Sequence, residues 1–309
     1  MSETEMDAVI RGLIAEHRNW GRWGADDELG TMNLITPDAV LRGVAAVRSG
    51  ERVSLGRVLS PKHGDDNPNP VLHFMTHAGE GATDEGMSSS SDWIGLEFHG
   101  YAMSHLDAPS HLFFDGRMYN DRPASVVKTS TGAHFGSVDA ARHGISTRGV
   151  LLDLPVVLGK PWLTPGHAVG PEVLERAEFE LGVRAESGDA LLVRTGRDAR
   201  RQENGPANLM AGGFAGLSAA CVPWLAARDI AVLASDAVSD AMQPGPGPHP
   251  MPVHAAGIVG LGLWLLDNLY LEDLSAACTA RGAWDFQLSV APLRIKNGTG
   301  SPVNPIVVL

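Results

Sequence analysis

The sequence has 309 residues, of which 44% are hydrophobic and 19% are charged, and its formal net charge is −12. A chain of this size can bury about three quarters of its unfolded surface, so a stable core needs no disulfide bonds. The negative charge argues against a nucleic acid or an anionic membrane as partner, because both reward lysine and arginine side chains.

Helix and strand signals alternate along the chain. In chain order, the patterns predict a helix over residues 1–20, a helix over 39–48, a strand over 53–59, a loop over 60–92, strands over 93–98 and 149–154, a helix over 171–181, a strand over 190–195, a helix over 217–228, a strand over 230–235, a helix over 254–265, and strands over 284–295 and 303–309. This order predicts an α/β fold with a mixed sheet. Since no linker or internal repeat divides the chain, we expect one domain over residues 1–309.

The cysteines and the apolar segments bear on where the protein works. Cys221 and Cys278 do not form a CxxC pair, so we expect two buried thiols in a reducing compartment. The first 20 residues lack the basic start and apolar centre of a signal peptide. The most apolar late stretch, residues 255–266, is too short to span a bilayer. We therefore expect a cytoplasmic protein.

Three histidines and an aspartate cluster in the segment HGYAMSHLDAPSH, as His99, His105, Asp107 and His111. In an extended strand, His105 and Asp107 point to the same face, with their Cβ atoms roughly 6 to 7 Å apart. Two ligands that each reach about 2.0 to 2.2 Å to one ion can bridge that gap. Pro109 ends the strand because it has no N–H for the ladder, which leaves His111 on a turn beyond it.

These residue types suit a divalent metal site. An imidazole and a carboxylate hold the ion, which lowers the pKa of water, and a nearby imidazole can then accept a proton. The pattern is short, however, and a structural role is the alternative: His105 at a strand end, Asp107 in a turn and His111 on the surface. The residues alone leave both interpretations open.

The segment SHLDAPSH resembles the signature of the cyclase family of metal-dependent hydrolases, His-x-Gly-Thr-His-x-Asp-x-Pro-x-His. That family includes bacterial kynurenine formamidase, isatin hydrolase and a metal-dependent trans-dienelactone hydrolase. The similarity extends over most of the chain, through WGADDELGTMNLIT, GDALLVRTG, SDAVSD and APLRIKNGTGSPVNPI. It implies a swivelling β/β/α fold, a divalent ion that is zinc or manganese, a small-molecule substrate, and a homodimer or homotetramer.

The resemblance also implies roles for individual residues. His105 and Asp107 match metal ligands, and His111 matches a catalytic histidine. A downstream histidine and glutamate of the family correspond to His254 and Asp267, so this chain carries the shorter carboxylate.

The chain departs from the family at the first ligand, where the family histidine is replaced by Tyr101. His99, two residues earlier, is the candidate replacement. In a straight strand His99 and His105 would lie roughly 20 Å apart, so the chain would have to bend, and Gly100 permits a bend. The alternatives are a two-ligand site, a site assisted by Tyr101, or no metal.

Together these features predict hydrolysis of an amide, a lactone or a related cyclic carbonyl compound. The predicted metal ligands are His99, His105 and Asp107, with His111 as general base. In the same interpretation, His254 and Asp267 orient water or donate to the leaving group. The alternative is a metal-free lyase or cyclase that uses His111, Tyr101 and His254, or a small-molecule-binding protein on the same scaffold.

Two further pairs stay open at this point. His73 and His77 lie in the predicted loop and could contact substrate or solvent. Asp236 and Asp240 follow the strand predicted over residues 230–235, either at the edge of a site or as solvated turn residues. The sequence has no GxSxG motif, which argues against a serine nucleophile of the α/β-hydrolase type.

Overall fold

The computed structural model describes residues 2–83, 85–208, 212–245 and 250–309, and a nine-stranded mixed sheet lies at its centre. The strands are β1 (Arg52–Ser54), β2 (Leu72–His77), β3 (Ser91–Gly95), β4 (His105–Asp107), β5 (Arg117–Met118), β6 (Arg122–Pro123), β7 (Val127–Lys128), β8 (Gly132–Ala133), β9 (Ile145–Asp153), β10 (Ala168–Val169), β11 (Ala190–Arg194), β12 (Gly216–Leu217), β13 (Val232–Ser235), β14 (Trp264–Asp267), β15 (Asp285–Val290), β16 (Gly300–Pro302) and β17 (Ile306–Val308). The large sheet has the order β1-β17-β15-β9-β11-β13-β14-β4-β16.

The middle of this sheet is parallel and its two sides are antiparallel. Strands β9, β11, β13 and β14 run parallel to one another, whereas β15 pairs antiparallel with β9, and β4 pairs antiparallel with both β14 and β16. The α/β fold with a mixed sheet, predicted from the sequence, is thereby confirmed. The other strands form two-stranded pairs, β2–β3, β5–β6, β7–β8 and β10–β12.

Helices cover the sheet. They are α1 (Glu3–His17), α2 (Pro37–Ala46), α3 (Leu154–Leu158), α4 (Pro171–Leu181), α5 (Arg197–Asn204), α6 (Cys221–Ala227), α7 (Pro252–His254) and α8 (Glu272–Arg281), with a π-helix over Ala255–Leu261 and short 3₁₀ turns at Gly30–Leu34, Gly79–Gly81, Tyr119–Asp121, Ala124–Val126 and Val138–Ala141. Among the described residues, none of the helices combines the length and apolar character that a bilayer-spanning segment needs.

Two apolar clusters lie on opposite faces of the sheet. Leu191 belongs to one cluster and its neighbour Leu192 to the other, as the alternation of side chains along a strand requires. Every residue of β11, β13 and β14 is buried. Strands that are covered on both faces read as continuous apolar runs, which is why their sequences show little alternation.

The predicted helix over residues 254–265 is wrong over its last four residues. The chain forms a π-helix at Ala255–Leu261, turns at Gly262 and continues as β14. Gly262 has φ +67°, and a Cβ there would stand 2.5 Å from the Tyr119 ring. A buried helix and a fully buried strand give the same apolar run, so periodicity could not separate them.

The predicted loop over residues 60–92 contains a strand. Leu72–His77 pairs antiparallel with Ser91–Gly95, and all six residues of β2 are exposed. The strand predicted over residues 93–98 overlaps β3 and belongs to this separate hairpin rather than to the large sheet. The turn-rich composition of the segment masked its extended stretch.

Candidate metal centre

Strand β4 brings His105 and Asp107 together on one face. Its register sets His105 opposite Asp267 of β14, and both flanking strands bury it, leaving His105 2% and Asp107 1% exposed. Leu106 points the other way into the apolar core. Nε2 of His105 lies 3.5 Å from Oδ1 of Asp107, so the predicted convergence of these two side chains is observed.

Two more imidazoles approach the same carboxylate. Pro109 lies in a turn, and His111 follows it with Nε2 3.8 Å from Oδ1 of Asp107. Nδ1 of His99 lies 2.8 Å from the same oxygen, and the His99 and His111 rings stack with centroids 4.0 Å apart. The chain bends at Gly100, where φ is +132°, so the predicted bend is present.

The buried atoms of this cluster lack ordinary hydrogen bonds. Within the described part of the chain, the two carboxylate oxygens of Asp107 form no contact that has the geometry of a hydrogen bond. The same is true of Nδ1 of His99. Burial acts to raise the pKa of Asp107, but the imidazoles of His105, His111 and His99 outweigh it and hold the pKa well below its usual range. A buried carboxylate without donors is costly. A divalent cation among imidazole and carboxylate ligands would satisfy it, so these residues fit a metal ion.

The ligand atoms fall into two groups that share Asp107. One group is His99, Asp107 and His111, and the other is His105, Asp107 and Asp267, with the ligand atoms of each within 4.8 Å of one another. The three predicted ligands are therefore divided, because His99 belongs to one group and His105 to the other. Asp107 is the residue that both groups require.

A chain of buried side chains extends behind this cluster. Nδ1 of His254 lies 2.6 Å from Asp240 and Nε2 lies 3.0 Å from Asp267. Asp240 also accepts the backbone N–H groups of Val253 and His254, and Ser239 donates to Asp267 at 3.1 Å. Burial acts to lower the pKa of His254, yet the carboxylates of Asp267 and Asp240 raise it well above its ordinary value.

His111 has the opposite electrostatic setting. Burial, together with the imidazoles of His99, His254 and His105, lowers the pKa of His111 to about 4, against the raising effect of Asp107. Its side chain is 26% exposed, so a reactant can approach it. His111 is therefore a neutral imidazole at physiological pH, whereas His254 carries a proton between carboxylates.

Tyr101 lies on the Asp240 and Asp267 side of the centre. Its ring packs 5.5 Å from that of Phe214. Burial, and then the charges of Asp267 and Asp240, raise the pKa of its phenol, which stays protonated. A cavity of about 360 Å³ adjoins this region and is lined in part by Phe98, His99, Tyr101 and Met103. The Tyr101 phenol therefore keeps its proton in the neighbourhood of the Asp240 and Asp267 carboxylates.

The open pairs from the sequence are now placed. Asp240 is fully buried against His254, so it belongs to the centre and is not a solvated turn residue. Asp236 is equally buried but accepts hydrogen bonds from Thr195 and the start of α5, which is a structural role. His73 and His77 lie on the exposed β2, where they contact Asp92 and Ser91.

Sequence reasoning missed Ser239 and Asn268. Asn268 directly follows Asp267 and is completely buried with φ +57°. A polar residue just after an apolar strand is the signal that could have marked it, because site residues of α/β sheets collect at strand ends.

The fold and the centre define an α/β protein with a buried histidine and carboxylate cluster suited to a divalent cation. The model of the Cyclase family, described as "Putative cyclase", matches residues 59–240, which is more than half of the sequence. The protein therefore belongs to the Cyclase family.

Solved structures share this fold. A crystal structure described as that of a novel cyclase aligns with a TM-score of 0.85 and 26% identity, covering 96% of this chain and 99% of that one. Isatin hydrolase A from Labrenzia aggregata aligns with a TM-score of 0.61 and 24% identity over 87% of this chain and 97% of that one. A predicted metal-dependent hydrolase from Bacillus stearothermophilus aligns with a TM-score of 0.51 and 13% identity, covering 83% of this chain and 97% of that one. No curated protein matches the sequence significantly.

Proposed function

We propose that this protein is a metal-dependent hydrolase of an amide, a lactone or a related cyclic carbonyl small molecule. The observation that carries the proposal is Asp107, a buried carboxylate that three imidazoles approach, the nearest being His99 at 2.8 Å. Within the described part of the chain, no contact to its oxygens has the full geometry of a hydrogen bond. Membership of the Cyclase family supports it. The structural relatives that are named as isatin hydrolases agree with a hydrolytic activity.

His99, His105 and Asp107 would hold the ion, which we propose to be zinc or manganese. When bound, such an ion supplies Lewis acidity: it polarises a carbonyl group and lowers the pKa of water toward neutrality. Asp107 lies within ligand distance of both flanking groups, so it anchors either arrangement of the histidines. Asp267 is the additional carboxylate on the His105 side.

The remaining residues handle protons and orientation. His111 is neutral and partly exposed, so it can accept a proton from the attacking water. Asp240 and Asp267 hold the His254 imidazolium from both sides, which fixes Asp267 toward the centre. Tyr101 keeps its proton and can donate a hydrogen bond to a substrate oxygen or to the leaving group.

Metal content and hydrolysis together test the proposal. The purified protein is supplied with zinc or manganese, analysed for bound metal and assayed on a panel of cyclic amides and lactones. We expect each chain to bind at least about one ion and to hydrolyse a substrate only when the metal is present. The variant Asp107→Asn should lose both the bound metal and the activity. The matched control is Asp115→Asn, since Asp115 is an exposed carboxylate that pairs with Arg11.

The outcome also separates the alternative function. A protein that retains no zinc or manganese after loading, and that hydrolyses none of the panel, contradicts the proposal. That result would favour a metal-free lyase or cyclase built on His111, Tyr101 and His254, or a small-molecule-binding protein.

A further inference from the structure

The segment from His99 to Ser104 has no regular secondary structure, yet it carries the bend on which the metal centre depends. It must bring the His99 ring to within 5.4 Å of the His105 ring, centroid to centroid. Backbone carbonyls of such a segment need donors when they lie beside a buried strand. Asn268 and Arg197 supply side-chain donors to the carbonyls of residues 100, 101 and 103.

Asn268 forms hydrogen bonds near both ends of the segment. Its Nδ2 donates to the carbonyl of Gly100 at 2.8 Å and to that of Met103 at 3.2 Å. Its own carbonyl accepts the Ser104 hydroxyl at 2.7 Å. Because Asn268 directly follows Asp267 of β14, these contacts tie the bend to the strand that supplies a carboxylate of the centre.

Arg197 completes the arrangement from the first turn of α5. Its Nη2 donates to the carbonyl of Tyr101 at 2.6 Å and its Nη1 donates to Oδ1 of Asn268 at 2.7 Å. The guanidinium also lies 4.9 Å from the centre of the Phe214 ring. The Asn268 amide is thereby fixed in one orientation, because its oxygen faces a donor and its nitrogen faces carbonyl acceptors.

The position of Arg197 is electrostatically unfavourable. Burial, and then the charge of Arg57, lower the pKa of the Arg197 guanidinium to about 9. Arg57 has a carboxylate partner in Asp198, whereas within the described ranges Arg197 makes no ion pair within 4 Å. A buried cation without a carboxylate contact is costly. Its hydrogen bonds to the carbonyls of Tyr101 and Asp236 and to the Asn268 side chain help to offset this cost.

The same bonds reach the metal centre directly. The Met103 carbonyl that accepts the Asn268 amide also lies 2.8 Å from Nδ1 of His105. A carbonyl can only accept, so Nδ1 carries the hydrogen, and Nε2 is the ring nitrogen that faces Asp107. The other carbonyl held by Asn268 belongs to Gly100, the residue next to His99. The Asn268 amide thus holds the carbonyl that contacts the His105 ring and the carbonyl of the residue that follows His99.

We propose that Asn268 and Arg197 act as a carbonyl clamp, a pair of positioning residues that hold residues 99–104 so that His99 and His105 both face Asp107. The clamp deepens the proposed function, since its consequence for metal affinity rests on that function. Residues that orient metal ligands through hydrogen bonds typically contribute about 10- to 100-fold to metal affinity.

Cobalt titration followed by visible absorption tests the clamp. Asn268→Gly removes the amide and keeps a residue that tolerates positive φ, and Arg197→Met removes the donors and keeps an apolar stem. We expect each change to raise the Kd for Co²⁺ about tenfold or more and to alter the ligand-field absorption of the bound ion. The control is Arg201→Met in the same helix, because Arg201 pairs with Asp66 outside the clamp and should leave Kd unchanged.

A second readout needs no metal. In protein labelled with ¹⁵N at histidine, ring-nitrogen NMR of the metal-free protein should show His105 protonated at Nδ1. Both variants should shift or broaden the His99 and His105 signals, while far-UV circular dichroism confirms that they fold. If one variant does not fold, the other decides.

The outcomes separate the clamp from the function. Variants with unchanged Kd, absorption and ring-nitrogen spectra would overturn the clamp, even if the unmodified protein binds Co²⁺. An unmodified protein that binds no Co²⁺ would overturn the proposed function, and the ring-nitrogen spectra would then decide the clamp by themselves.

Discussion

Among single residues, His111 combines a neutral imidazole, partial exposure and a place beside Asp107. We predict that His111→Ala lowers turnover by about 10²- to 10⁴-fold, the range typical of a lost general base. The free energy of unfolding should change little, because the ring makes no hydrogen bond with any residue that the structure describes. Steady-state kinetics and urea denaturation measure the two effects.

The control for that experiment is His134→Ala, which removes an exposed imidazole. Within the described part of the chain, this imidazole shares a side-chain hydrogen bond with Thr131 alone. Turnover in this variant should equal that of the unmodified protein. If His111→Ala retained full activity, His111 would have no part in proton transfer.

The two cysteines should be chemically silent in the folded protein. Burial raises the pKa of Cys221 to about 11 and that of Cys278 to about 12. Since only the thiolate reacts, we expect no reaction of native protein with Ellman's reagent at pH 8 and two thiols per chain after unfolding in guanidinium. Rapid labelling of native protein would contradict the buried placement.

The raised pKa values of the two cysteines also predict how the stability of the fold changes with pH. The pKa values of the folded state exceed an unfolded value near 9, so the thiols favour folding below pH 9. This contribution is lost progressively as the pH rises from about 9 to about 12, and denaturation curves should show stability falling over that range. Replacing both cysteines by alanine should flatten this part of the profile.

The sequence predicted some site residues and not others for a geometric reason. His105 and Asp107 share a face because strands alternate, and Pro109 had to end the strand, so their local placement followed from spacing alone. The contacts of Asp240 and Asn268 depend instead on which strands are neighbours in the sheet. That pairing joins distant parts of the chain, and spacing carries no information about it.

At the scale of elements, the π-helix at Ala255–Leu261 depends on partners outside itself. Asn19 donates from its backbone to Gly260 and from its side chain to Leu261, both at 3.0 Å, and Trp20 donates from Nε1 to the Val259 carbonyl at 2.7 Å. The segment after α1 therefore satisfies carbonyls that the wide helical turn leaves open.

We predict that Trp20→Phe lowers the free energy of unfolding by about 1 to 2 kcal/mol, because the Val259 carbonyl loses its donor inside the protein. Urea denaturation measures the change. Trp93→Phe is the matched control, since Trp93 is 48% exposed on the β2–β3 hairpin and should change stability by less than about 0.5 kcal/mol. Equal effects of the two changes would show that the hydrogen bond contributes nothing.

Elements were predicted well where their pattern is unambiguous. Helix α4 was predicted with its observed bounds, Pro171–Leu181, because apolar residues recur at helical spacing and Gly182 adopts the left-handed conformation that ends the helix. The first two residues of β14, Trp264 and Leu265, were predicted as helix because burial on both faces erases the period of two. The hairpin strand β2 was read as loop because none of its residues is buried.

For the whole molecule, metal binding should couple to folding. An ion that binds the folded state alone adds about 2.7 kcal/mol at a free concentration one hundred times its Kd. We therefore predict that zinc or manganese raises the thermal midpoint relative to protein in a chelator, and that Asp107→Asn abolishes this increase. Differential scanning fluorimetry measures it; an equal increase in the variant would place the ion elsewhere.

The position of β4 between β14 and β16 also bears on how the chain matures. About half of the sequence separates β4 from β14, and β16 lies further still, at Gly300–Pro302. A nascent chain emerges in order from its amino end, so His105 leaves the ribosome long before the strands that enclose it. Until β14 and β16 have been synthesised, β4 lacks the strands that bury it, so we expect the enclosed centre to form only after residues 300–302 have been added.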